Sequence, residues 1–199
     1  MKSLNVLGVS SSMREGSFGT RTVKIVLDTA QKYEAKARLL ELRKIGMPLF
    51  NPDSDSSIQS DMKLQKVTND VNWADAYILV SPDYHGSISG AMKNFLDYYW
   101  EEFAGKTFGY ICTSHEKGLT VMDQMRTAVR QCYGWSLPYG ISVNGQEDFN
   151  KVGEVTNSLL DKRLRMLARD LVVYGKLIRG QFLQDLSSDV IDTFVTRYR

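Results

Sequence analysis

Apolar positions along the chain alternate between two spacings. Residues 4–9 form a short, nearly continuous apolar run, the pattern of a strand covered on both faces. Residues 22–33 then carry Val23, Val26, Leu27 and Ala30 at helical spacing. The alternation continues with a strand over 37–42 and a helix over 57–74 that closes on Val67, Val71 and Ala74. The run AYILVS at 76–81 is the clearest buried strand, and 91–100 follows as a helix with Met92, Phe95, Leu96 and Tyr99 on one face. A strand over 107–113, a helix over 121–132, a strand over 137–143 and a helix over 159–171 complete the series. Pro138 lacks an N–H and so places the fifth strand at a sheet edge. Gly180 is expected to interrupt the last helix. Leu186, Val190, Phe194 and Tyr198 are then expected to form a further amphipathic helix, either a cap on the core or a subunit contact.

Five strands separated by helices predict an α/β fold, a parallel sheet with helices on both faces. In such a sheet ligands bind beyond the carboxyl ends of the strands, where the strand order reverses. The loops after strands one, three and four therefore carry the functional interest. The 199 residues suit one domain, 1–199, with a C-terminal extension from about 180. A net charge of +2 gives no reason to expect nucleic acid and does not fit a strongly acidic electron carrier. The first apolar stretch is too short for a signal peptide or a membrane span, so a soluble cytoplasmic protein without a membrane partner is expected. Cys112 and Cys132 read as small buried fillers, and His85 and His115 fall in no metal-ligand spacing.

The loop after strand one reads Ser10-Ser11-Ser12-Met13-Arg14-Glu15-Gly16-Ser17-Phe18-Gly19-Thr20. Small residues allow backbone N–H groups to approach a phosphate, and a helix N-terminus adds unpaired donors and a positive dipole end. The hydroxyls of Ser12, Ser17 and Thr20 and the charge of Arg14 extend that donor set. The same residues also suit a plain turn with Ser17 or Thr20 as the helix cap. Neither a P-loop nor a GxGxxG fingerprint is present. After strand three the chain runs Ser81-Pro82-Asp83-Tyr84-His85-Gly86-Ser87-Ile88-Ser89-Gly90. Tyr84 offers a flat surface for a planar ring, and the N–H groups of residues 85–87 could face ring oxygens and nitrogens. Alternatively, Tyr84 packs on the core and His85 is simply exposed.

These two loops resemble the NADPH-dependent FMN reductase family. Members carry a G-x-S-x-S-x-R-x-x-S phosphate loop, answered here by residues 8–17, and a P-E-Y-N-G-S-x-P-G-x-L-K-N-x-x-D ring loop, answered by residues 82–97. The resemblance covers about residues 4–177. It implies a flavodoxin-like three-layer sandwich with strand order 2-1-3-4-5. It also implies that Ser10, Ser12, Arg14, Ser17, Gly19 and Thr20 surround the FMN phosphate, and that Pro82, Asp83, Tyr84, His85, Gly86 and Ser87 border the ring. Ser114, His115 and Gly118, in the loop after strand four, are implied at the ring edge. Gly19 stands where Asn is common, so one contact to phosphate is expected to be missing. Asp83 replaces Glu, His85 replaces Asn, Ser89 replaces Pro, and residues 113–120 lack the usual glycine-rich form.

The implied chemistry is the cofactor's: NADPH or NADH reduces FMN at N5, and a small-molecule electron acceptor then takes the electrons. No side chain need act as acid, base or nucleophile. The resemblance leaves the acceptor open among free flavin, quinones, azo dyes, nitro compounds and metal oxyanions, with flavin, quinone, azo or similar small acceptors expected. The alternatives are a non-catalytic flavodoxin-like electron carrier and a regulatory protein of the same fold. Relatives form homodimers or homotetramers, and the run Tyr98-Tyr99-Trp100 with Phe103 is the expected contact, unless those rings face the core.

Overall fold

The computed structural model describes residues 3–53 and 61–199. Strand β1 (Asn5–Ser10) leads into α1 (Phe18–Lys32), then β2 (Lys36–Glu41) and a single turn, α2 (Leu42–Ile45). Helix α3 (Met62–Trp73) precedes β3 (Ala76–Pro82) and α4 (Gly90–Asp97). A 3₁₀ turn (Glu101–Phe103) precedes β4 (Thr107–Thr113) and α5 (Leu119–Gln131). Two short strands, β5 (Trp135–Ser136) and β6 (Ile141–Val143), then lead to α6 (Ser158–Leu186) and a last 3₁₀ turn (Phe194–Tyr198). The sheet is parallel in the order β2-β1-β3-β4-β5, with β6 also on β4. This is the expected flavodoxin-like order.

Alternation along the strands divides the core in two. Leu7, Val9, Tyr77, Leu79, Phe108 and Tyr110 face α3, α4 and α5. Val6, Ile78, Val80, Ile111 and Ile141 face α1 and α6, where they meet Val23, Val26, Leu27, Leu164, Leu167 and Leu171. Gly8 belongs to this second face: a Cβ there would lie 2.5 Å from Val23 Cγ2, so the glycine lets α1 seat close against β1. All seven residues of β3 are buried, and full burial of each aliphatic side chain contributes about 1.5–3 kcal/mol.

Three expectations are corrected. The fifth strand is split: β5 pairs with Thr107 and Phe108, and β6 with residues 111–113, because Pro138 and Gly140 break the ladder between them. Both pieces lie on the outer side of β4, the expected edge position. Gly180 does not interrupt α6, which runs 29 residues. It faces open space, and its cost of about 1 kcal/mol relative to alanine is outweighed by buried Phe182 and the Arg179–Asp75 ion pair at 3.3 Å. No second terminal α-helix forms; the chain turns back instead and Phe194 stacks on Tyr133 with ring centroids 5.8 Å apart. The part of the expected helix over 57–60 lies outside the described residues.

The aromatic run also turns inward. Phe95, Tyr99 and Phe103 are buried, and Tyr98 is half-buried against Phe50 with its hydroxyl donating to Pro48 O at 3.0 Å. Only Trp100 is exposed. Cys112 and Cys132 are buried free thiols, as expected.

At the amino end of the sheet, Lys106 is buried and donates to Val71 O at 2.9 Å, which also accepts from the Tyr77 hydroxyl. Burial, reinforced by the charge of Arg179, lowers the ammonium from 10.5 to about 8; Asp75 and Glu102 oppose it. The native value lies below that of the unfolded chain, so the unfolded chain binds this proton more tightly between those limits. Lys106 therefore costs stability at neutral pH and returns it as pH rises through about 8, by about 3 kcal/mol at most. Urea unfolding of wild type and Lys106→Met at pH 7 and pH 9.5 should show the wild type gaining on the variant as pH rises. A pH-independent difference would contradict this assignment.

Candidate functional site

Strands β1, β3 and β4 are neighbours, so their carboxyl ends bring three loops together. Ser10 lies in register with Val80, and Pro82 with Thr113. Gly19 sits over the ends of β3 and β4: a Cβ there would meet Val80 Cγ1 at 3.1 Å and Thr113 Cγ2 at 3.5 Å. Close seating of α1 on β3 and β4 accounts for the glycine, and an asparagine would need its neighbours to shift.

The first loop is a capped helix entry. The Ser17 hydroxyl accepts from Thr20 N–H at 3.2 Å and donates to Thr20 Oγ1 at 3.0 Å. The Ser10 and Thr20 hydroxyls are 2.8 Å apart and buried. Ser12, also buried, accepts from Arg14 N–H at 3.3 Å. Much of the hydroxyl set thus shapes the loop itself. The N–H groups of Phe18 and Gly19 have no acceptor among the described residues, and the first turn of α1 carries no acid. Glu15, the loop's acid, turns to Arg43 at 3.1 Å. Arg21 is committed to two carbonyls, Gly16 O at 3.0 Å and Val152 O at 2.9 Å. Arg14 is exposed and has no ion-pair partner among the described residues. The loop therefore offers helix-end N–H donors and one available guanidinium, a donor set that fits a phosphate monoester.

The ring loop closes in a two-residue turn. Tyr84 N–H donates to Ser87 O at 3.1 Å, and Ser87 N–H to Tyr84 O at 3.2 Å. His85 and Gly86 between them have φ of 59° and 73°, the geometry of a type I′ turn. Gly86 N–H donates to Asp83 Oδ1 at 2.8 Å, and Asp83 Oδ2 accepts from the Ser114 hydroxyl at 3.1 Å. This corrects the expectation that the N–H groups of residues 85–87 are all available: those of Gly86 and Ser87 are consumed inside the loop. The His85 N–H has no acceptor among the described residues. Tyr84 does not pack into the core; at 42% exposure its ring is open to solvent.

The remaining predicted residues divide by role. Pro82 is the buried last residue of β3. Ser114 braces Asp83, and His115 is exposed. Gly118 is buried with φ of 57°, and a Cβ there would fall 2.4 Å from Cys112 Sγ, so its role is to turn the chain into α5. Burial, then the Asp83 charge, pushes the Cys112 thiol up to about 12, so it stays protonated at neutral pH.

Four residues outside the expected set join the loops. Ser89 caps α4 by accepting from Met92 N–H at 3.2 Å and donates its hydroxyl to Ser11 Oγ at 2.8 Å. The Ser11 hydroxyl donates in turn to Val80 O at 3.0 Å, and Ser89 N–H to Ser81 Oγ at 3.0 Å. A proline could make none of the Ser89 bonds, so its replacement here ties the phosphate loop to the ring loop. Gln124, on α5, bonds the ring loop from its other side. Beside it, a cavity of about 700 Å³ opens between α4 and α5, bordered by Ser87, Ile88, Lys93, Thr120 and Gln124.

The NADPH-dependent FMN reductase family matches residues 4–148. Among relatives, the FMN-dependent NADPH-azoreductase of Staphylococcus saprophyticus is 27% identical over 175 residues, 85% of this chain and 90% of that protein. An NAD(P)H-dependent FAD/FMN reductase of Geobacillus thermodenitrificans is 25% identical over 177 residues, 85% of this chain and 92% of its own. In fold the chain is similar to the flavoenzyme NAD(P)H:(acceptor) oxidoreductase of Paracoccus denitrificans, with a TM-score of 0.72 at 18% identity, covering 87% of this chain and 98% of that one. With its sheet order, its two loops and most of its length accounted for by that family, the chain belongs to the NADPH-dependent FMN reductases.

Proposed function

We propose that this protein is an FMN-dependent NAD(P)H oxidoreductase that reduces small acceptors of the flavin, quinone or azo type. The observation that carries the reading is the convergence of two unlike loops at the carboxyl end of the sheet. One presents helix-end N–H groups and Arg14, which has no ion-pair partner among the described residues, suited to a terminal phosphate. The other presents an exposed tyrosine ring beside an exposed histidine, suited to a planar heterocycle. Bound FMN supplies the hydride-accepting and hydride-releasing chemistry. The protein's part is to hold the phosphate through Arg14 and the start of α1, to border the ring with Tyr84 and His85, and to place the His85 N–H where it can stabilise negative charge. Relatives named as reductases favour this reading over a passive electron carrier.

Heating the purified protein should release FMN and not FAD, identified by chromatography. Arg14→Ala should weaken FMN at least about tenfold, a charge-assisted bond contributing roughly 1.5–3 kcal/mol. Riboflavin, which lacks the phosphate, should bind the variant as it binds wild type. Equal weakening of both ligands would mean that Arg14 acts through the fold.

Turnover is expected to be ping-pong. Both substrates must approach the same open face beside Tyr84 and His85, so nicotinamide leaves before the acceptor enters. Double-reciprocal plots at several fixed acceptor concentrations should be parallel; intersecting lines would demand a second site.

A homo-oligomer is also proposed. Leu49, 86% exposed, and Trp100, 61% exposed, flank in sequence the half-buried Phe50–Tyr98 contact, leaving apolar side chains uncovered there. Light scattering at micromolar concentration should report at least a dimer, and Trp100→Lys should lower the mass. A monomeric wild type that binds FMN would refute it.

A further inference from the structure

The turn formed by residues 84–87 is an unstable object by itself. It is a lone two-residue hairpin turn with no strand ladder extending from it, and isolated hairpins are marginal in water. It also holds His85, a residue with a Cβ, at φ of 59°, a left-handed conformation that costs about 1–2 kcal/mol. Its shape must therefore be imposed by its flanks.

One flank is Asp83, which binds Gly86 N–H and the Ser114 hydroxyl. The other is Gln124. Its Oε1 accepts from the Ser87 hydroxyl at 2.9 Å and from Ile88 N–H at 3.1 Å, and its Nε2 donates to Gly86 O at 3.4 Å. One carboxamide thus bonds three successive residues of the loop and uses both its accepting and its donating end. Gln124 stands on the second turn of α5, whose opposite side carries the buried Val121, Met122, Met125 and Val129. The helix is fixed by the core, and Gln124 passes that rigidity to the loop. The contact joins residues 36–38 apart in sequence.

We propose that Gln124 is a positioning residue that holds the Tyr84–Ser87 turn in its flavin-binding shape. This rests on the reading of that loop as the border of the flavin ring. Loss of the clamp should let the turn relax, so that the ring of either FMN or riboflavin loses its preformed border. The effect differs from that of Arg14, which acts on the phosphate alone.

Two measurements on Gln124→Ala test the proposal. Hydrogen exchange on the flavin-free protein should show faster exchange at the Ser87 and Ile88 amides, with the α5 core amides unchanged. Flavin titration should show FMN and riboflavin weakened by the same factor, about tenfold, with the melting temperature of the flavin-free protein kept. Gln124→Glu retains the two accepting contacts and loses the donor to Gly86 O. It should restore amide protection while placing a negative charge beside the ring loop, which lowers the midpoint potential of bound flavin. Unchanged exchange at Ser87 and Ile88 in Gln124→Ala would overturn the clamp. Altered exchange with unchanged affinity for both flavins would keep the clamp but overturn its role in flavin binding. Failure of the wild type to bind any flavin would instead overturn the functional reading and leave the exchange result to decide the clamp.

Discussion

Strand β3 is hydrogen-bonded to β1 on one side and to β4 on the other, and none of its seven residues reaches solvent. That pairing fixes the height at which three loops leave the sheet. Because the pairs are parallel and in register, Ser10, Pro82 and Thr113 emerge together. Gly19 then lets the first turn of α1 descend onto the same edge. A shift of β3 would separate a phosphate-type loop from a ring-type loop, and neither could serve one ligand alone.

Polar contacts cross between the loops and join them to one another. Ser89 joins the ring loop to the phosphate loop through Ser11, Asp83 joins it to the β4 loop through Ser114, and Gln124 joins it to α5. The first of these links is buried, where an unmade hydrogen bond is costly, so it specifies geometry strongly. The outer links face solvent and contribute less each, which suits a surface that must admit and release substrates. Two of the departures from the family pattern, Asp83 and Ser89, fall on these links. Asp83 is short enough to turn back on Gly86, and Ser89 uses both an N–H and a hydroxyl that proline lacks.

The fifth predicted helix, α6 in the structure, shows the limit of local propensity. Gly180 is a poor helix residue, yet α6 continues through it because Phe182 reaches a satellite core with Ala104 and Val195. The glycine at 105 makes room there: with φ of 65°, a Cβ on it would lie 2.0 Å from the Phe182 ring. The aromatic run at 98–103 misleads in the same way. Its density suggested a contact surface, but Phe103 packs on Tyr77 and Phe108 in the core and Tyr99 packs on Phe103.

By itself the sequence determined the alternation of strands and helices, the faces of α1, α4 and α6, and the two loops that mark the family. Those features are written in short-range order: hydrophobic period, glycine and hydroxyl placement, a motif of contiguous residues. Only the tertiary structure decided which groups in the loops remain available. Ser10, Ser12 and Thr20 turn out to bond one another or the loop backbone, Arg21 is spent on carbonyls, and two of the three expected ring-loop N–H groups are already paired. Gln124 carries no local signal, since its partners lie 36–38 residues away. A side chain's availability depends on what the fold sets beside it, and that neighbour is chosen by packing across the sheet, which no spacing along the chain records.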